Sequence, residues 1–286
     1  MTANRTVDAH HHFWDPSHAD YPWMTDELAA IRRPFGPGDL GPELAECGIA
    51  ATILVQTRSS VAETRRFLQI AEDTDFVAGV VGWVDLADPA VGDTVAELRS
   101  GPAGRWLVGI RHQVHDEPDP EWLLRPYVRS GLAAVEAAGL VYELLVRTRQ
   151  LPAAIATVRD FPGLRFVVDH IAKPPIATGE LSPWAERIAG FAGLPNVWCK
   201  LSGMVTEADW RRWQPEDLAP FVAHVRAVFG TTRLMFGSDW PVCLLAASYP
   251  RVYEAARSAL GPLTRSELDR VFGGTAIEVY RLGAAG

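Results

Sequence analysis

Residues 7–15 read VDAHHHFWD and place three consecutive histidines at the end of a short run of mixed polarity. Successive side chains of a strand point to opposite faces, so His10 and His12 share one face while His11 points to the other. Two imidazoles therefore converge on one spot. A His-rich amino terminus can also be an expression tag. The aspartates and aromatic residues around these histidines, and the regular pattern that follows them, favour a functional strand.

Short β-branched runs alternate with helical stretches eight times along the chain. The predicted strands lie near residues 6–12, 50–56, 76–84, 106–112, 140–146, 165–171, 196–202 and 233–239. Between them apolar residues recur at three- and four-residue spacing, as in Val91, Val95 and Leu98. Eight such units predict parallel strands with right-handed crossovers, closed into a single (β/α)8 barrel over residues 1–286. An open doubly wound sheet is the alternative, which the lack of a G-x-G-x-x-G after an early strand disfavours.

Helix starts are marked by side chains that can cap them. Ser60 with Glu63, and Thr264 with Glu267, have the spacing of a capping box. Pro183 suits the first position of another helix. The longest connection, residues 13–38, follows the first strand and is rich in aromatic residues. Such loops lie at the carboxyl face of a barrel, so this segment is predicted to form either an ordered wall of the site or a stabilising cover.

The composition suits one large α/β domain and argues against several kinds of partner. The chain has 286 residues, 48% of them hydrophobic, and a net charge of −8, which disfavours binding to nucleic acid or to an anionic membrane. No apolar run reaches about eighteen residues, so no membrane span is expected. No signal peptide is visible, and Cys47, Cys199 and Cys243 are widely spaced without a C-x-x-C. They are predicted to be free thiols of a cytoplasmic protein.

Two later strand ends carry further candidate residues. The sixth predicted strand reads RFVVDH and would place His170 on the face of Phe166 and Val168, although a satisfied core histidine is the alternative. The eighth predicted strand ends with Asp239 at its last position, where a helix-capping role is the alternative. Together with His10 and His12 these residues form a set that can hold a divalent metal, or activate water without one.

The chain resembles the amidohydrolase superfamily of distorted (β/α)8 barrels, and within it the sugar-acid lactonases. That branch includes L-fuconolactonases and L-rhamnonolactonases, with pyrone-dicarboxylate lactonases as relatives. The resemblance runs nearly end to end, through DAHHHFWD at 8–15, VVGWVDL at 80–86, GIRHQVHDEPDPEWL at 109–123, YELLVR at 142–147, VVDHIAKPPI at 167–176, KLSGMVTEADW at 200–210 and MFGSDWPVCLLAASY at 235–249.

The resemblance implies roles for individual residues. It implies a reaction centre lined by His10, His12 and His170, with Asp239 as the general base for an attacking water. The same four residues are the candidate ligands of at most one divalent ion, for which zinc is expected. The candidate substrate-binding residues are Arg111, His112, Lys173, Trp240, Trp14, Trp83, Glu143 and Lys200. Two of these stay open, because Glu143 could instead be a metal ligand or salt-bridged, and Lys200 could assist the leaving oxygen or form a salt bridge.

The expected activity is hydrolysis of an aldonolactone of the L-fucono or L-rhamnono type to the free sugar acid. The strand-four lysine that bridges two metals in many superfamily members is replaced by Arg111 and His112, which argues against a binuclear centre. A dicarboxylate substrate needs bidentate arginines. Because only Arg111 and Arg147 lie near strand ends, a neutral lactone is favoured.

The alternative to a lactonase is a decarboxylase of an aromatic acid or an amidohydrolase of a cyclic amide. The expected partner is the small-molecule lactone, and a homodimer is left open.

Overall fold

Eight parallel strands follow one another in sequence order around a barrel. The structure is a computed structural model and describes residues 5–283. Each strand pairs with the next one along the chain. The strands are β1 (Val7–His11), β2 (Ala51–Val55), β3 (Val77–Gly82), β4 (Leu107–His112), β5 (Val141–Leu144), β6 (Arg165–Val168), β7 (Val197–Leu201) and β8 (Leu234–Phe236). The predicted (β/α)8 architecture is confirmed, and each observed strand lies within a predicted one.

The seam between the first and last strands is closed at its carboxyl end. The His12 N–H donates to the Trp240 carbonyl at 2.7 Å, and the Asp239 N–H donates to the His10 carbonyl at 2.8 Å. The buried Asp8 carboxylate adds a side-chain link, because its Oδ1 accepts from the N–H of His10 at 3.1 Å and of Ser238 at 2.9 Å. The seam thus joins the segments that carry His10 and Asp239.

Helices follow the strands and cover the outside of the barrel. They are α1 (Pro37–Cys47), α2 (Val61–Glu72), α3 (Val91–Ser100), α4 (Pro126–Ala137), α5 (Leu151–Asp160), α6 (Trp184–Ile188), α7 (Pro215–Phe229), α8 (Tyr249–Ala259), α9 (Arg265–Asp269) and α10 (Thr275–Tyr280). The predicted apolar face of α3, formed by Val91, Val95 and Leu98, is buried. Among the described helices none is both long and apolar enough to cross a membrane.

The predicted caps mark the starts of α2 and α9. Ser60 precedes α2 and its side chain accepts from the Glu63 N–H at 3.2 Å. Thr264 and Glu267 bond each other's N–H groups in a complete capping box. Pro183 lies one residue before the first residue of α6, so that helix begins one position later than predicted.

The last helix closes the barrel at the end opposite the long loops. Ala276, Val279 and Tyr280 of α10 pack with strand side chains such as Val7 and Val141 in an apolar cluster of their own. Arg165, the first residue of β6, donates to the Val279 carbonyl at 2.6 Å. This contact puts α10 at the amino ends of the strands, which leaves the carboxyl ends for a site.

Two strands end earlier than the sequence pattern predicts. β6 ends at Val168, and all four residues from His170 to Lys173 have positive φ angles of 46° to 60°. β8 ends at Phe236, and Asp239 has a φ of 58°. The prediction that His170 and Asp239 occupy strand positions is therefore wrong. A left-handed conformation costs a non-glycine residue about 1–2 kcal/mol, and β-branched runs in the sequence give no sign of it.

Candidate active site

The end of β1 presents two imidazoles to one point, as its alternation predicts. The Nε2 atoms of His10 and His12 lie 3.2 Å apart, and both rings are buried. His11 points the other way and its Nε2 lies 2.8 Å from the Thr52 hydroxyl. His12 Nδ1 lies 2.8 Å from the Val55 carbonyl, an acceptor, so Nδ1 carries the proton and Nε2 keeps its lone pair for the centre.

Asp239 brings a carboxylate to the same point from the turn after β8. Its Oδ1 lies 3.3 Å from His12 Nε2, 3.7 Å from His10 Nε2 and 3.9 Å from His170 Nε2. The side chain is nearly buried. The structure therefore brings together all four residues predicted for the reaction centre.

His170 reaches the centre through the left-handed turn after β6. Its Nδ1 lies 2.9 Å from the Ser202 hydroxyl, which follows β7. Gly203 is required beside it: its φ is +61°, and a Cβ there would lie 2.6 Å from His170 Nδ1. Ser202 and Gly203 are thus supporting residues that the sequence analysis did not single out.

Burial and neighbouring charges set the protonation of the centre. Burial lowers the pKa of His170 to about 3, and burial together with Lys200 holds the pKa of His10 well below its usual value. Burial by itself would raise the pKa of Asp239, but His170, His12 and His10 hold it below its usual value. Neutral imidazoles next to a carboxylate leave nitrogen and oxygen lone pairs available at neutral pH.

The donor set fits a divalent metal ion. Ligands 2.0–2.1 Å from a tetrahedral zinc lie about 3.3 Å from one another. The three distances among His10 Nε2, His12 Nε2 and Asp239 Oδ1 are 3.2, 3.3 and 3.7 Å, close to that value. Ligand atoms of His10, His170 and Asp239 also lie within 4.8 Å of one another. Imidazoles and carboxylates are zinc ligands, and some catalytic zinc sites combine two imidazoles with one carboxylate.

A layer of buried ionic groups lies directly beneath His10. Lys200 Nζ contacts Glu143 Oε1 at 2.6 Å, Asp169 Oδ1 at 3.0 Å and His10 Nδ1 at 3.1 Å. Arg111 donates to Asp169 Oδ2 at 3.0 Å, and its Nη1 lies 3.2 Å from His10 Nε2. Burial and Asp169 raise the pKa of Glu143 to about 7. Asp169 is a central residue that the sequence analysis missed.

A cavity of about 380 Å³ opens above this centre, within the size range of small-molecule sites. Its floor includes His12, Arg111, His170 and Asp239. Its walls combine aromatic, apolar and polar side chains, namely Trp23, Trp210, Leu28, Leu145, Val242, Leu245, Thr57, Gln113, His115, Asp116, Arg147, Lys173, Thr206 and Glu207. The predicted contacts Arg111 and Lys173 are among the lining residues, and Trp23 confirms that the loop after β1 forms a wall.

The rim of the cavity carries two cations that share one acid. Glu207 Oε1 lies 2.5 Å from Lys173 Nζ, and Glu207 Oε2 lies 3.6 Å from Arg147 Nη1. Arg147, which the sequence placed near a strand end, does line the cavity. Because Glu207 balances part of the positive charge, the rim is less suited to a dianion than two free cations would be.

Six of the predicted substrate-binding residues do not line this cavity. Glu143 and Lys200 lie below His10, as described above. Trp14 stacks on His12 from behind, with ring centroids 6.4 Å apart, and Trp240 packs against Phe35. The remaining two, Trp83 and His112, are linked by a hydrogen bond of 3.0 Å. Each of these side chains is engaged in packing or in an internal contact, so the structure does not place it at the cavity wall, and direct substrate contact at these positions stays a prediction.

Comparison with known proteins gives one consistent result. An amidohydrolase family model matches residues 7–282. Two proteins named L-fucono-1,5-lactonase, from Burkholderia ambifaria and Burkholderia multivorans, are 41% and 40% identical to the chain over 96% of its length and 95% and 96% of theirs. A crystal structure of an amidohydrolase from Burkholderia multivorans with bound zinc superposes with a TM-score of 0.90 at 39% identity, covering 97% of this chain and 99% of that one.

Proposed function

Because the chain belongs to the amidohydrolase family, we propose that it hydrolyses the 1,5-lactone of a six-carbon deoxy sugar acid, of the L-fucono type, to the free acid. The coarser assignment to lactone-hydrolysing enzymes rests on relatives that match nearly the whole chain at about 40% identity. The L-fucono type is taken from those relatives, and the preference for a neutral deoxy lactone rests on the cavity.

One observation about Asp239 supports the proposed hydrolysis most strongly. A buried carboxylate, Asp239, lies within 3.3–3.9 Å of three imidazole nitrogens on the floor of a cavity large enough for a sugar lactone. A general base must be ionised and within hydrogen-bond reach of the water it activates. Asp239 meets the first condition because its pKa is held low, and the second because it lines the cavity.

The residues on the floor then have distinct tasks. Asp239 takes a proton from the water that attacks the lactone carbonyl, and returns it to the ring oxygen as the ring opens. Arg111 lines the floor with its guanidinium held by Asp169, so it is a fixed cation near the position where negative charge develops on the carbonyl oxygen. His12, with its proton fixed on Nδ1, keeps Nε2 as an acceptor or ligand.

We propose zinc as the metal of this centre, with His10, His12, His170 and Asp239 as its candidate ligands. When bound, such an ion supplies Lewis acidity to the carbonyl or lowers the pKa of water. The zinc-bound relative supports this choice. Elemental analysis of the purified protein should give at most one equivalent per chain.

The cavity walls favour a neutral deoxy lactone. Thr57, Gln113 and Thr206 offer hydrogen-bonding groups that suit hydroxyls, and Trp23 and Trp210 offer aromatic faces. Leu28, Val242 and Leu245 form an apolar portion of the wall that suits a methyl group in place of a terminal hydroxymethyl. The guanidinium of Arg111 is already engaged by Asp169 and Gln56, which argues against the bidentate recognition that a dicarboxylate needs.

A panel of lactones tests the proposal. Acid release would be followed with a pH indicator in weak buffer, and the uncatalysed rate subtracted, for L-fucono-, L-rhamnono- and pyrone-dicarboxylate lactones. A matched pair, the same lactone with and without a hydroxyl on its sixth carbon, isolates the apolar wall. We expect the deoxy lactone to have the highest kcat/KM. Faster turnover of the pyrone dicarboxylate than of every sugar lactone would contradict the proposal.

A further inference from the structure

The chain contains 25 arginines but only two lysines, Lys173 and Lys200, and both lie at the candidate active site. Everywhere else a positive side chain is an arginine. Arginine is a wide planar fork, whereas lysine carries a compact point charge with three donors. This distribution points to two positions where a compact ammonium is needed.

Lys200 occupies a site built for a small cation. Its ammonium donates to Glu143 Oε1 at 2.6 Å and forms an ion pair with Asp169 Oδ1 at 3.0 Å, and His10 Nδ1 lies 3.1 Å away. All four side chains are fully buried. Atoms of His10, Glu143 and Asp169 also lie close enough together to ligate one metal ion. Among the described residues Glu143 Oε2 is buried without a hydrogen-bond partner, so the site has a further oxygen to offer.

We propose that Lys200 is a built-in cation that fills a second metal-like site beneath the reaction centre, and that it positions His10 from below. The two carboxylates would otherwise attract a divalent ion, because carboxylates are metal ligands. With Lys200 in place, the Nδ1 edge of the His10 ring lies next to a fixed ammonium, and the Nε2 edge lies towards Asp239. Lys200 thereby keeps the centre to a single exchangeable cation.

The contacts below this site fix its geometry. Tyr280 of α10 donates its hydroxyl to Glu143 Oε1 at 2.5 Å, and its ring lies 5.8 Å from Lys200 Nζ. Arg111 holds the other oxygen of Asp169. The acceptors of Lys200 are therefore themselves anchored, so the vacated site should persist when the lysine side chain is removed.

Replacement of Lys200 by alanine tests the proposal directly. Lys200→Ala removes the propylammonium portion of the side chain and keeps Cβ. After dialysis against Zn²⁺ at pH 7.5, elemental analysis should find one more tightly held equivalent in Lys200→Ala than in the wild type. Lys173→Ala is the matched control: Lys173 pairs with one carboxylate, Glu207, and its removal should leave the metal count unchanged.

Chemical rescue supplies a kinetic readout. Loss of a group that orients a metal-ligating residue typically lowers activity on the order of 10–100-fold. We expect Lys200→Ala to lose kcat to that extent, and n-propylammonium to restore it saturably, whereas 1-propanol of the same shape should not. A folded Lys200→Ala protein with the wild-type metal count and no response to the amine would overturn the proposal.

A second pair of variants covers the case in which Lys200→Ala does not fold. Lys200→Met keeps the volume of the side chain but leaves Glu143 and Asp169 without their shared cation. Its melting temperature should fall, and adding Glu143→Gln should recover part of the loss. Additive losses in the double variant would contradict the role of Lys200 as a counter-charge. The kinetic arm rests on the proposed lactonase function, but the metal count and melting temperatures do not, so the two failures are distinguishable.

Discussion

Asp8 is expected to control both the stability of the barrel and the alignment of its reaction centre. The side chain is fully buried, and it accepts the N–H of His10 at 3.1 Å, the N–H of Ser238 at 2.9 Å and the Tyr249 hydroxyl at 2.9 Å. The contact to Ser238 crosses the seam between β1 and the turn after β8, and the contact to His10 lies within β1. They therefore set the distance between His10 and Asp239.

The magnitude follows from the number of groups left without partners. Each buried polar group that loses its partner costs about 1–3 kcal/mol. Asp8→Ala orphans two N–H groups and one hydroxyl, so the free energy of unfolding should fall by about 3–9 kcal/mol. Tyr249→Phe is the matched control, because it removes one hydrogen bond to the carboxylate, worth about 1.5–3 kcal/mol, and leaves the contacts to His10 and Ser238 intact.

The free energy of unfolding of Asp8→Ala and Tyr249→Phe is measured with urea. Their kcat is measured at a temperature where both variants are folded. Asp8→Ala should lose stability and most of its kcat, whereas Tyr249→Phe should lose stability but keep kcat near the wild-type value. The reasoning is refuted if folded Asp8→Ala keeps the kcat of Tyr249→Phe, or if it is destabilised no more than that variant.

Three further outcomes are expected. Ala172→Gly should change the free energy of unfolding by less than about 1 kcal/mol, because relief of the strained φ of 60° offsets the loss of the buried methyl group. Ala154→Gly inside α5 should cost about 2 kcal/mol. Equal losses of the two variants in urea unfolding would disprove this. Burial and then Glu46 raise the pKa of the Cys47 thiol to about 11, and Cys199 and Cys243 are buried, so a thiol reagent at pH 8 should label the native protein slowly and the denatured protein at all three cysteines. Removal of metal by a chelator should leave the circular dichroism spectrum unchanged and reduce kcat, and loss of the folded spectrum would show that the ion is structural.

The sequence predicts the fold well because the physics of the strands is local. Alternation over β1 is sufficient to place His10 and His12 on one face and His11 on the other, and β-branched runs locate all eight strands. The spacing of Ser60 and Glu63 marks a helix start because the cap is made within four residues. These features depend on neighbours in the chain, so a single sequence contains the information.

The other residues of the site are positioned by turns after strand ends, where the backbone is no longer that of a strand. Asp169 continues the alternation of Val167, whose side chain lies in the interior cluster, whereas His170 reaches the centre through a left-handed turn that strand alternation does not predict. Trp83, His112 and Trp240 lie at or after strand ends and are predicted to contact substrate, but they pack outside the lining of the cavity. Whether an aromatic residue faces a cavity or supports it is decided by tertiary packing.

The role of Asp239 as the general base is the central claim, and kcat of Asp239→Asn tests it most directly. Asparagine keeps the shape of the side chain but lacks the basic oxygen, so kcat on the best lactone should fall on the order of 10²–10⁴-fold, or about 3–5.5 kcal/mol. Asp15→Asn, on the loop after β1 and outside the lining of the cavity, should retain activity. If Asp239→Asn keeps more than about a tenth of the wild-type kcat, a loss below about 1.4 kcal/mol, Asp239 is not the base.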